Sequence, residues 1–212
     1  MRSRSWEALT SSRASWTDRV RHGLPQALSL SFEQRLGLLV LFFAVASLVE
    51  LVVRGQAASR WREYLFVLAC GTVGALFGVA NDLVTSRISP EYFILGKGVP
   101  EGPGFLEGVI RVGIEAGFSG GAIAGCVLLY ASRGHHGLVR HVGRILGMAA
   151  LGSVAGWLAC RLTPLSRVRL EFLPDLAEPA EASRFVTVWV MHLGIYAGVV
   201  AGLVRSWVRI RS

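Results

Sequence analysis

Five apolar segments, at residues 36–53, 64–84, 108–130, 142–162 and 185–208, constrain this chain more than any other feature. Each runs for 18 to 24 residues between Arg-bearing flanks. At 1.5 Å per residue that length crosses a hydrocarbon core of about 30 Å as a helix. Lipid offers the backbone no hydrogen bonds, so a spanning segment must satisfy its own amides and carbonyls. The strict alternation of a membrane β-barrel strand is absent from all five. The expected fold is therefore all-α, a polytopic transmembrane bundle of about five spans. Composition agrees, with 52% apolar and 17% charged residues in a chain of 212. A soluble domain of that length carries about 25% charge to cover its core.

Two regions follow from this reading: a basic, partly amphipathic tail at 1–35 and a helical membrane domain at 36–208. In the tail Trp6, Leu9, Arg13, Trp16 and Val20 recur at helical spacing, which suits the membrane interface. The net charge of +8 sits mostly at the ends of apolar segments. Its expected partners are the lipid bilayer and anionic head groups rather than nucleic acid. Six Arg precede the first span, which favours a cytoplasmic N-terminus and, with five spans, an external C-terminus.

Glycine orders the last four segments. Gly74 and Gly78, then Gly117, Gly121 and Gly125, then Gly143 and Gly147, Gly152 and Gly156, and finally Gly194, Gly198 and Gly202 recur every fourth residue. Small residues one turn apart let helix backbones approach closely. The spacing predicts a tight core of four helices, with the Leu/Phe/Val-rich first helix peripheral to it. Cys70, Cys126 and Cys160 each lie inside an apolar segment with no CxxC spacing, so they read as small buried hydrophobes.

Ionisable groups inside apolar segments are the candidates for function. Gly71, Gly74, Gly78, Asn81 and Asp82 share one stripe of the second helix, which aims the Asp82 carboxylate at other helices. Ser89 at an N-cap, Pro90 at the first position and Glu91 in the first turn begin a short helix. Tyr92 and Phe93 are expected to anchor that helix at the interface. Arg111 and Glu115, one turn apart, form an expected ion pair, as do Glu50 and Arg54. His192 lies about two turns into the last segment, with Tyr196 on the same face. The topology places Asp82, Arg87, Glu91, Arg111, Glu115, Arg161 and His192 toward the cytoplasmic side, where they would line a polar vestibule. His135, His136 and His141 gather at the opposite side as a solvated loop with no expected metal.

The stretch Asn81-Asp82-Leu83-Val84-Thr85-Ser86-Arg87-Ile88-Ser89-Pro90-Glu91-Tyr92-Phe93 resembles an uncharacterised family of small bacterial polytopic membrane proteins. That family has a His-Asp-Gln-type motif, then a Ser-Pro-Glu-Tyr-Phe-type motif, then a His and Tyr four apart in its last helix. Asp82, residues 89–93, His192 and Tyr196 match. Asn81 stands where the family has His, and Leu83 where it has Gln. The resemblance implies the bacterial cytoplasmic membrane and no particular activity.

The sequence carries no Gly-x-Ser-x-Gly elbow, His-Glu-x-x-His helix or phosphate loop, so neither enzyme nor cofactor is expected. Two functions remain: a small ion or proton channel or transporter using Asn81, Asp82, Glu91, Arg111, Glu115, His192 and Tyr196, or a non-catalytic accessory subunit of a membrane complex. Either suits a homo-oligomer or a larger assembly.

Overall fold

The computed structural model describes residues 30–132, 137–163 and 178–212. The described residues are almost entirely helical, with no strand among them. Five long helices follow in chain order: α1 (Phe32–Arg54), α2 (Trp61–Ile88), α3 (Phe105–Ser132), α4 (Leu138–Leu162) and α5 (Pro179–Arg211). All five are long and apolar enough to cross a membrane, and each contains its expected apolar segment. The amphipathic tail and the Arg133, His135 and His136 loop lie outside the described residues.

Local chemistry sets the ends. Ser31 caps α1 in a reciprocal capping box with Gln34. Gly55, at φ +56, closes it. α2 stops at Ile88 because Ser89 is extended (φ −143, ψ 95) ahead of Pro90, as the ring of a following proline demands. Pro179 opens α5, where a missing amide hydrogen costs nothing.

α1 belongs to one compact unit and the residues from Ser59 onward form a second. α1 has the highest mean hydropathy of the five, 2.7, and only Glu50 is buried along it. Arg54 reaches that carboxylate at 3.6 Å, which gives the buried acid a counter-charge.

In the second unit the glycines pair the helices two by two. α2 and α3 run antiparallel with Gly74 and Gly78 against Gly113, Gly117 and Gly121. A Cβ built at Gly74 would strike the Gly117 carbonyl, and one at Gly117 would strike the Gly74 carbonyl. Gly125 packs on Cys70 in the same seam. α4 and α5 repeat the arrangement: Gly152 and Gly194 face each other's carbonyls, Gly198 meets Met148, and Gly202 meets Ile145. In both seams a glycine Cα–H stands where a side chain cannot, directed at a carbonyl across the interface.

The four-helix core expected from the glycine spacing is thus built from two tight hairpins. Between them lies a crevice of about 260 Å³. A Cβ at Gly143 or Gly147, which share the four-residue spacing, would meet nothing within 4 Å among the described residues, because these glycines lie on the side of α4 opposite Gly152 and Gly156. Cys70 and Cys160 are buried as expected, but Cys126 is exposed.

The chain between α2 and α3 folds back into the helix ends. Residues 92–96 make a π-helical turn, and the Val99 amide donates to the Phe93 carbonyl at 3.0 Å. Gly98 turns the backbone with φ +69, a conformation glycine adopts without strain. Tyr92, Phe93 and Val99 then pack with Val109, Phe185 and Val188 as a small apolar core. Tyr92 and Phe93 are therefore buried, not interfacial anchors. The reason is the π-turn, which rotates both rings toward α3 and α5.

Candidate proton site in the membrane domain

The centre of the site is a contact between residues 110 positions apart. His192 Nε2 lies 3.1 Å from Asp82 Oδ1. Both side chains are buried, His192 at 8% exposure and Asp82 at 5%. Asp82 stands six residues before the end of α2, about 9 Å from the helix end at the α-helical rise.

Donor and acceptor accounting fixes what the pair must hold. His192 Nδ1 lies 2.8 Å from the Val188 carbonyl, one turn back in α5. A carbonyl only accepts, so Nδ1 carries a hydrogen. That leaves Nε2 facing a carboxylate oxygen. An ionised carboxylate also only accepts, so the 3.1 Å contact requires one further proton. It resides either on Nε2, giving an imidazolium beside a carboxylate, or on Asp82, giving a neutral acid beside a neutral ring. Both forms have zero net charge, the state a low-dielectric interior tolerates best.

The neighbours hold this geometry. Asn81 Nδ2 donates to Asp82 Oδ1 at 3.2 Å and lies 3.5 Å from His192 Nε2. Ser153 of α4 donates to Asn81 Oδ1 at 3.4 Å. Three helices, α2, α4 and α5, therefore meet in one polar cluster. The Tyr92 ring stacks on the imidazole, with centroids 4.8 Å apart and planes at 25°. Phe93 adds an edge contact at 6.3 Å. The π-turn thus covers the cluster from the end of the bundle, and Phe93 is fully buried. Burial, and to a lesser degree Tyr196 and Asp82, push the Tyr92 phenol well above its ordinary range, so it stays protonated.

Outside this cover Glu91 is tied down. Arg184 Nη2 reaches Glu91 Oε1 at 2.8 Å, and Ser89 Oγ donates to Glu91 Oε2 at 2.8 Å. Burial pushes the Glu91 carboxyl up, but the Arg184 and Ser89 hydrogen bonds and the Arg184 charge outweigh it. The net effect is a carboxyl below its ordinary value. Ser89 Oγ also accepts from the Tyr92 amide at 3.3 Å, as an N-cap should.

The polar vestibule expected from the sequence is not formed by the described residues. Arg111 pairs with Glu115 at 2.9 Å on a half-exposed face of α3, and Glu91 pairs with Arg184. Arg161 lies over the Trp157 ring at 5.4 Å, and Arg87 is exposed. Each charge finds its own local partner or solvent, so charges that share a membrane face do not converge. Asn81, Asp82 and His192 do converge. Tyr196 lies at the rim, 53% exposed.

On the side away from the π-turn, Asn81, His192 and Tyr196 line one end of the inter-hairpin crevice. Its walls are otherwise glycine backbone and apolar side chains, including Phe77, Leu128, Ile145 and Val199. Ser153 and Arg184 were not singled out by sequence reasoning. Ser153 sits in a glycine-rich run that hides one hydroxyl, and Arg184 looks like an ordinary flank. Among the described residues no group of three or more His, Cys, Asp or Glu could hold a metal ion. No protein-family model, curated protein or solved structure matches the chain.

Proposed function

We propose that this chain is a small proton-conducting or proton-coupled membrane protein in which Asp82 and His192 form the proton-binding station. The observation that carries this reading is the Nδ1 contact to Val188, which obliges the Asp82–His192 contact to hold a second, shared proton. A site that is neutral with one bound proton gains a charge when it takes up or gives up another, so each transfer changes its cost in lipid. The π-turn with Tyr92 and Phe93 is the barrier toward the α2–α3 loop. Moving that turn would open the pair to water. The proposed orientation has a cytoplasmic N-terminus, with the loop and the Glu91–Arg184 pair on the cytoplasmic side of a bacterial inner membrane.

Proteoliposomes loaded with a pH-sensitive dye test the reading under a potassium diffusion potential. Wild-type protein is expected to carry protons, and Asp82→Asn and His192→Ala to lower the flux by about tenfold or more. Flux unchanged in both variants removes the pair from the pathway.

One observation favours the accessory-subunit reading. Gly143 and Gly147 present a small-residue face on α4 where an added Cβ would meet nothing within 4 Å among the described residues. Such a face admits a close helix from another chain. Purification from native membranes with a stoichiometric partner, together with no flux from the isolated chain, would favour that reading.

A further inference from the structure

The inter-hairpin crevice differs in chemistry from the proton station that it adjoins. Its α2 and α3 side is rich in glycine, with Val73, Phe77 and Leu128 as the larger apolar side chains. The facing wall on α4 and α5 is aliphatic. Polar atoms gather at one end only, where Asn81, His192 and Tyr196 meet it. Tyr196 makes no hydrogen bond among the described residues, and Asn81 Nδ2 bears two hydrogens, with one directed at Asp82 and only a long 3.5 Å contact to His192 Nε2 beside it. The crevice thus offers hydrogen-bond donors at its head and apolar surface along its length. Val200 and Tyr196 border it and are exposed, so it communicates with the bilayer side of the bundle.

We propose that this crevice binds a neutral, lipid-soluble molecule of the quinone class, entering from the bilayer. Three features select that chemistry. A carbonyl head accepts from Asn81 Nδ2 and the Tyr196 hydroxyl, and needs no donor of its own. A neutral head preserves the zero net charge of the Asp82–His192 pair, which an anionic head such as a fatty-acid carboxylate would upset. The ring packs on Phe77 and the small residues of α2 and α3, and an apolar tail leaves toward lipid. The volume of about 260 Å³ accommodates such a head. Only binding is proposed; it requires no electron transfer and no proton movement, so it stands apart from the flux reading.

Gly120 supplies the sharpest test. It lines the crevice, yet a Cβ there meets nothing within 4 Å. Gly120→Phe therefore adds a bulky ring at the crevice from a Cβ position that meets nothing. Leu151, exposed on α4 and outside the crevice, provides the matched control Leu151→Phe. The probe is a decyl-substituted benzoquinone added to the full chain in phosphatidylcholine nanodiscs. Bound probe is counted by native mass spectrometry, and the His192 ring ¹⁵N resonance is followed on titration.

Saturable binding at one probe per chain is expected, with a shift of the His192 resonance. Gly120→Phe should abolish both. Leu151→Phe should leave both intact. Tyr196→Phe, which removes only a rim hydroxyl and keeps the fold, should weaken binding roughly three- to tenfold. Equal, non-saturating uptake by wild type and Gly120→Phe would overturn the proposal, because it would report partition into lipid. Crevice-dependent binding of decanoate in preference to the quinone would overturn the assigned class.

Discussion

His192 has one ring nitrogen fixed by its own helix and the other aimed across the bundle. That division of labour gives its protonation a geometric reading, since Nδ1–H is committed to Val188 and only Nε2 can exchange with Asp82. If the two groups share a proton, they should not contribute independently. A double-mutant cycle of Asp82→Asn and His192→Gln is expected to give a coupling of about 1–2 kcal/mol, measured by reversible unfolding in mixed micelles. Additive losses would mean that each side chain is held by other neighbours. Glu91 carries a second residue-scale prediction. Its folded carboxyl titrates below the ordinary value of 4.5, so its tie to Arg184 contributes stability above that value. This contribution is lost as pH falls from about 4.5 through the depressed folded value. Amide exchange in residues 89–99 should therefore rise selectively in that acid window. Glu91→Gln should show raised exchange at neutral pH and no further acid-dependent step. The burial and inward aim of Asp82 were legible because Gly71, Gly74, Gly78, Asn81 and Asp82 share a helical stripe. The partner was not, because a pairing across 110 residues depends on how α2 and α5 are placed, which no local spacing encodes.

At the scale of elements, the glycine seams decide which helices are neighbours. Gly194 faces the Gly152 carbonyl so closely that an added methyl group must push α4 and α5 apart. Gly194→Ala is expected to destabilise the domain by about 1–3 kcal/mol. Gly147→Ala, at a glycine with open space around it, should fall within about 0.5 kcal/mol of wild type. Comparable losses at both positions, by thermal unfolding of the purified chain, would show that the outward glycines are also packed. The five spans and the small-residue faces of the last four helices could be read from segment length and four-residue spacing. The gap between the hairpins could not, since spacing marks a small-residue face without saying whether it meets protein or lipid. Gly143 and Gly147 illustrate this, matching Gly152 and Gly156 in pattern and differing only in the direction they face. The π-turn was equally hidden. Ser89-Pro90-Glu91 announces a helix start, but the extra residue per turn that swings Tyr92 and Phe93 inward follows from packing on Val109, Phe185 and Val188.

For the whole molecule, the proposed orientation with all five helices spanning puts the two termini on opposite sides of the membrane. Cysteine accessibility reads this directly. In a chain whose three cysteines are replaced by alanine, Ser212→Cys should react with an impermeant maleimide from outside intact cells. Ser3→Cys should react only after the membrane is opened. The reverse pattern would invert the orientation proposed above. The two glycine seams also carry a consequence for how the molecule is made. Gly78 and Gly113 meet across a short stretch of chain, as do Gly156 and Met191, so each hairpin can close soon after its second helix enters the bilayer. The Asp82–His192 contact needs both hairpins and most of the chain between them. During synthesis the aspartate must therefore wait, unpaired, while three further helices are delivered. The fifth helix arrives carrying the residue that neutralises it, so the same contact that would store a proton in the mature protein also marks the joining of the two hairpins.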